Sequence, residues 1–293
     1  MMRRAVYTII GLLILCSSLC AQQVTEPLNP VWLQNDLDGV KFLVQLMPVE
    51  SHTIPELKKR FKTQIKTTSW FDESNLGFGV RRVKLNMGLG YTTIYIDFLL
   101  FKNKIVHYTI GADVSEKVWR TNHSDDVKRV WKQNGGPLFN EKTTELTFDK
   151  DYPEVWKAYD SYLTARLGRK EYVLVPDSLK ASYELLTNAF ENSSISVVAC
   201  DNGKPAIDEL EATGRVDLIE NVLRGRNPGG RIYAAISLLR MKQKRKQLSS
   251  ATQRAINRVL ISDADASTCR GDTGMTGLRA RDIVWEYVRS KEW

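Results

Sequence analysis

Hydrophobic and polar residues alternate along "YTTIYIDFLLFKNKIVHYTI", Tyr91 to Ile110, where Ile94, Ile96, Phe98 and Leu100 fall on one side and Tyr95, Asp97 and Leu99 on the other. A period of two, rich in β-branched and aromatic residues, marks a half-buried strand. The break at Lys102-Asn103 places a turn between two arms. With "VRRVKLNM" ahead of them, the arms make an antiparallel meander over 80–87, 91–101 and 104–111. The spacing changes in "IPELKKRFKTQI", where Leu57, Phe61 and Ile65 recur every fourth residue. That predicts an amphipathic helix over 55–67 covering the sheet, which three strands need to bury a core. Further helices are expected at "SDDVKRVWKQNGG" and "YPEVWKAYDSYLTARLG", the second with Pro153 suited to its first turn and Gly168 to its end. "EYVLV" at 171–175 reads as a short strand closed by Pro176.

From Asp177 the period becomes helical throughout. "PDSLKASYELLTNAFE" carries Leu179, Tyr183, Leu186 and Phe190 on one face. It is followed by "KPAIDELEATG", "RVDLIENVLRGRN", "PGGRIYAAISLLRMKQKRK", "SSATQRAINRVLIS" and "GLRARDIVWEYVRS". Breakers at Gly214, Gly225, Pro228 and Gly229 leave only a few residues between neighbours, so successive helices pack antiparallel. This pairing resembles HEAT-like helical repeats, with "NPGGRIYAAISLL" as a helix entry and Ile232, Ala235, Ile236 and Leu239 as its buried ridge. The resemblance implies a scaffold or binding role. The expected fold class is α+β: an antiparallel meander sheet with covering helices over 25–176, then an all-α HEAT-like unit over 177–293.

The first 21 residues have another pattern. Arg3 and Arg4 precede an apolar run from Ala5 to Leu15, then small residues and Ala21, the layout of a cleaved secretory signal peptide. The run is shorter than the roughly 20 apolar residues of a membrane span. Leu19 before Cys20 and Leu15 before Cys16 argue against lipid attachment at either cysteine. The chain is therefore expected to be exported, periplasmic or extracellular, with no transmembrane segment after the leader.

Charge and chemistry narrow the function class. The formal net charge is +8, and the stretch from Arg215 to Arg258 holds eleven Lys and Arg against only Asp217 and Glu220. Arg224, Arg226, Arg231, Arg240, Lys242, Lys244, Arg245 and Lys246 are the candidates for an anionic partner, either an envelope protein or an anionic surface; no nucleic acid is expected. The same cations at the end of a helix also oppose the negative end of its dipole. His52, His107 and His123 are the whole histidine supply, none in zinc-ligand spacing, so no metal is expected. The "GFG" at 77–79 and "GLG" at 88–90 lead into strands, not into a phosphate-binding helix N-terminus, and no cofactor is expected. His107 reads as a hydrogen-bonded strand residue. No catalytic set is legible, and the leading class is a non-enzymatic binding or scaffolding protein of the bacterial cell envelope. The alternative is a periplasmic or secreted hydrolase using loop carboxylates or His123.

Removal of the leader would leave two of the four cysteines, Cys200 and Cys269. In an oxidising compartment they are expected to pair, closing the helical unit for about 4 kcal/mol at most in the chain-entropy picture. Cys269 lies in "STCRGDTG". The Asp263, Asp265, Ser267 spacing before it lacks the glycine and the terminal acid of a calcium loop, so this stretch reads as a loop that returns Cys269 to its partner.

Overall fold

The structure is a computed structural model that describes residues 29–46, 55–56, 59, 69–114, 129, 132–133, 139–140, 145–187, 203–244, 246–270 and 273–290. Helix α1 (Pro30–Leu46) leads into β1 (Ser69–Gly77), β2 (Val80–Gly88), β3 (Thr92–Phe101), β4 (Lys104–Val114), β5 (Phe139–Asn140) and β6 (Glu145–Asp151). The six strands form one sheet in the order β1-β2-β3-β4-β6-β5, with every neighbour antiparallel. Helices α2 (Pro153–Leu167), α3 (Asp177–Thr187), α4 (Gly203–Ala212), α5 (Val216–Leu223), α6 (Pro228–Gln243) and α7 (Ser250–Leu260) follow. A hairpin of β7 (Asp265–Arg270) and β8 (Thr273–Arg279) then precedes α8 (Ala280–Arg289). The architecture is α+β, with an antiparallel sheet followed by a helical half.

The meander expected from alternation is β2, β3 and β4. Its β3–β4 turn is Lys102-Asn103, with φ of 49° and 69°. The β1–β2 turn is Phe78-Gly79, with φ of 54° and 75°. Two-residue loops with both φ values positive match the right-handed twist of the strands they join. "GFG" is therefore the hairpin turn of a strand pair that period-two reading left out, because β1 is an edge strand of mostly polar residues. The Lys102 amide donates to the Gly79 carbonyl at 2.9 Å, which sets the two turns side by side.

One face of the sheet carries Val83, Leu85, Met87, Ile94, Ile96, Phe98, Leu100, Tyr108 and Ile110, and α1 covers it with Val40, Phe42 and Leu43. The helix expected over 55–67 falls almost wholly outside the described residues, as does the one over 124–136. α1 itself was not anticipated, since Asp36, Asp38 and Gly39 interrupt its apolar stripe. Asp36 is what seats it. This carboxylate is fully buried and accepts from the Gly90 and Tyr91 amides at 3.0 Å each, gripping the β2–β3 turn. Burial raises its pKa above the ordinary carboxylate value, and the two amide bonds work against that rise by favouring the charged form.

At the hairpin end, Leu76, Val80, Leu99, Phe101 and Val106 join a second core with α2 and the helices after it. Phe101 packs on Tyr159 and Tyr162 of α2, with ring centroids 5.1 and 5.5 Å apart. This core runs without interruption across residue 176, from β1 to α8. α6 lies at its centre and is buried from Pro228 to Leu238, touching α3, α4, α5, α7 and α8. Asn227 caps it by accepting from the Gly230 amide at 3.1 Å. A Cβ on Gly230 would meet the Leu186 carbonyl at 1.9 Å, so only glycine lets α3 and α6 approach this closely.

Three expectations are corrected. Residues 171–175 join no strand ladder, because the nearest structure is α5 and not a sheet edge. The stretch around Cys269 is the β7–β8 hairpin rather than an open loop, and Asp263 and Asp265 both accept from Asn75 of β1, at 2.8 and 3.0 Å. Trp285, whose apolar helical setting in "DIVWEYV" implies a core position, is 37% exposed. Replacing Asp36 with alanine leaves two turn amides without an acceptor and is expected to lower the unfolding free energy by about 1–3 kcal/mol; an unchanged urea midpoint would contradict the role given to this carboxylate.

Candidate functional site

Seven of the eight cations read as one basic segment lie among the described residues, and they separate into three groups. Arg224 and Arg231 are inside the protein, 9% and 1% exposed. Arg224 donates to the Glu220 carbonyl at 2.9 Å and to Thr252 Oγ1 at 3.1 Å, while Thr252 donates to Glu220 Oε1 at 2.6 Å, a cluster joining α5 to α7. Arg231 donates to the carbonyls of Gly225 and Arg226 at 2.9 Å each, to Tyr159 Oη at 3.2 Å and to the Leu76 carbonyl at 3.4 Å. Neither guanidinium belongs to a docking surface, because its donors are spent on internal acceptors.

Arg226 and Arg240 are half committed. Arg226 forms a fork with Asp160, at 2.7 Å through Nε, and lies 4.5 Å above the Trp156 ring. The Asp160 hydrogen bond raises its pKa. Arg240 donates to the Ser290 carbonyl at 3.3 Å. Lys242, Lys244 and Lys246 are exposed at the end of α6 and just beyond it. Among the described residues no carboxylate pairs with any of the three; Lys242 reaches only the amide oxygen of Gln253, at 3.2 Å. Arg245 lies outside the described residues, as does Cys200, the expected partner of Cys269.

A second polar assembly was not foreseen as such. His107 of β4 sits between Asp151 of β6, with Nδ1 at 3.0 Å from Oδ1, and Thr109, with Nε2 at 3.0 Å from Oγ1. The strand register places Asp151 directly across from His107, and the pleat returns Thr109 to the same face two residues on. Trp156 of α2 donates its Nε1–H to the same Asp151 oxygen at 3.0 Å. Partial burial pushes the Asp151 pKa up, but the bonds from Trp156 and His107 outweigh it and leave the pKa lowered, so Asp151 is a carboxylate. Nδ1 therefore carries a proton toward Asp151, and in the neutral ring Nε2 accepts from the Thr109 hydroxyl.

Carboxylate, imidazole and hydroxyl in line can pass a proton, the arrangement that activates a nucleophile in hydrolases. Here Thr109 stands in the middle of the sheet, register-paired with Asp97 on one side and Asp149 on the other. The surrounding backbone amides belong to the ladders and are not free to stabilise an oxyanion. The chain of contacts continues instead through Trp156 to Arg226 and Asp160, tying the sheet to α2 and the α5–α6 connection. His107 is thus the hydrogen-bonded strand residue expected of it, and what sequence could not show is the partner 44 positions away. His123 lies outside the described residues. A groove of about 670 Å³ opens elsewhere, between Ser182 and Leu185 of α3 and Pro205 and Glu209 of α4. No group of acids, histidines and cysteines among the described residues could hold a metal.

Comparison of the chain with known protein families, with curated proteins and with solved structures finds no match. No helix among the described residues is long and apolar enough to cross a membrane.

Since Asp151 is held below its ordinary pKa, its contribution to stability is present above the unfolded carboxylate pKa and is lost as pH falls through the folded value. Trp156→Phe keeps the ring and removes the N–H donor. Its acid-unfolding midpoint, followed by circular dichroism, is expected to move to higher pH than that of the parent chain; coincident acid transitions would show that the tryptophan bond does nothing for Asp151.

Proposed function

We propose that this chain is a binding or scaffolding protein of the bacterial cell envelope and that it engages an anionic partner through the lysines at the end of α6. The supporting observation is the separation of the basic segment. Evenly solvated charge would leave arginines and lysines alike at the surface, whereas here Arg224 and Arg231 are drawn into the fold, Arg226 and Arg240 are half committed, and Lys242, Lys244 and Lys246 stand exposed with no carboxylate partner among the described residues. Clustered unpaired lysines raise the local potential and attract phosphate or carboxylate groups within a Debye length. The buried α6 behind them provides a rigid mount, consistent with the antiparallel helix pairs of a HEAT-like scaffold. The basic leader and its short apolar run support export, with the working site in the periplasm or outside the cell.

A lysine near an anionic lipid surface contributes roughly 1 kcal/mol, about fivefold in affinity. Co-sedimentation with vesicles containing anionic phospholipid is expected to retain the chain at low salt and release it as salt rises. The Lys242→Glu, Lys244→Glu, Lys246→Glu variant is expected to bind at least about a hundredfold more weakly. Retention that ignores both salt and charge reversal would contradict this reading.

A further inference from the structure

The face of the sheet turned away from α1 is polar, and strand register lays its side chains out in rows. Arg82, Leu99, His107 and Asp151 form the row nearest α2, where Trp156 meets Asp151. Lys84, Asp97, Thr109 and Asp149 form the next. Asn86, Tyr95 and Gly111 form a third. Side chains on such a face stand about 4.8 Å apart across strands and about 7 Å apart along them. The two outer rows make a shelf that α2 walls at one end, with Asn86, Tyr95 and Asp149 exposed on it and Asp97 and Thr109 half-buried.

Tyr95 does not stand up from its strand. Its ring lies across Gly111 of β4, where a Cβ would come within 2.0 Å of Cε2, 2.2 Å of Cζ and 2.4 Å of Oη. Any side chain at 111 would lift the ring, so glycine is what lets it lie down. With one side of the ring against β4, Tyr95 still keeps 39% of its surface exposed. The polar groups beside it are held in place. Arg82 donates from Nε to both Asp97 oxygens at 2.8 Å each. Thr109 spends its proton on His107 Nε2 and so presents an oxygen that only accepts.

The mixture of groups selects a ligand by exclusion. An anion meets Asp97 and Asp149 on the same shelf. A cation finds Asp97 already neutralised by Arg82 and meets Lys84, whose pKa is lowered by burial and then by Arg82, against the pull of Asp97 and Asp72. An apolar segment would strip water from these groups and return no hydrogen bonds. A neutral molecule with a flat C–H face and a rim of hydroxyls satisfies both the ring and its surroundings. We propose that this shelf is a carbohydrate-binding site, on which a neutral pyranose stacks against Tyr95 and gives hydroxyl hydrogen bonds to Asp149, Thr109 and Asn86. An open shelf buries one side of a sugar only, so binding is weak for a single ring and grows with the length of an oligosaccharide.

Calorimetric titration of the full chain with three neutral probes, cellohexaose, mannohexaose and N-acetylchitohexaose, tests this. At least one is expected to bind, with an affinity that high salt leaves unchanged because no charge is neutralised. Tyr95→Ala should weaken that binding about tenfold, while Tyr95→Phe, which keeps the ring, should retain it. Asp149→Asn should weaken it several-fold by replacing a charged acceptor with a neutral one. Both positions are exposed, so an unchanged circular dichroism spectrum is expected to show the fold intact. Gly111→Ala serves as the second variant, since it leaves Tyr95 in the chain and lifts its ring, and binding should fall as it does in Tyr95→Ala. Failure of all three probes to bind, binding that persists in Tyr95→Ala, or an equal loss in Tyr95→Phe would overturn the proposal. The lysines at the end of α6 play no part in it, so vesicle binding and carbohydrate binding fail or succeed separately.

Discussion

Arg231 carries the junction on which the two halves of the molecule depend. A guanidinium only 1% exposed would be costly to bury without partners, and its partners here are neutral oxygens from three parts of the chain. They are the Leu76 carbonyl at the end of β1, Tyr159 on α2 and the carbonyls of the α5–α6 connection. The guanidinium also lies 4.9 Å from the centre of the Phe78 ring in the β1–β2 turn. The planar fork of arginine suits this divergent set in a way that the single ammonium of lysine does not. Since the first hairpin, α2 and α6 all meet at one side chain, the hairpin end of the sheet shares a core with the helices, while the face under α1 keeps a core of its own.

Other polar groups repeat that logic at smaller scale. Asp36 seats α1 on the β2–β3 turn, Arg224 joins α5 to α7 through Glu220 and Thr252, and the Thr109–His107–Asp151–Trp156 line ties the sheet to α2. In each case a side chain that cannot be left unpaired inside the protein is satisfied by an element distant in sequence. Within the basic segment Arg224 and Arg231 are spent this way, while Lys242, Lys244 and Lys246 stand outside. The stiffness of the mount and the charge of the surface therefore come from the same basic segment.

Much of this was legible where one periodicity dominated. The alternation in β3, the Lys102-Asn103 turn, Pro153 at the start of α2 and the Asn227-Pro228 entry of α6 all act through neighbours in the chain, which a linear reading can follow. β1 was hidden because its register with β2 pairs polar residues such as Asp72 with Lys84, leaving no apolar stripe. The segment 171–175 reads as a strand because Val173 and Val175 pack inward, although no neighbouring strand supplies a ladder. The inward turn of Arg224 and Arg231 was hidden too, since burial of a cation is decided by acceptors that folding brings from elsewhere. Arginine and lysine look alike in a charge count and differ only in what can be gathered around them.

The most direct test is hydrogen–deuterium exchange of Arg231→Lys, which keeps the positive charge and removes the fork. If Arg231 joins the two halves, exchange should accelerate together in the β1–β2 hairpin, in α2 and in α6, with a single lowered unfolding midpoint. Acceleration confined to α6, or an exchange pattern identical to that of the parent chain, would show that the sheet and the helical half do not rely on this side chain.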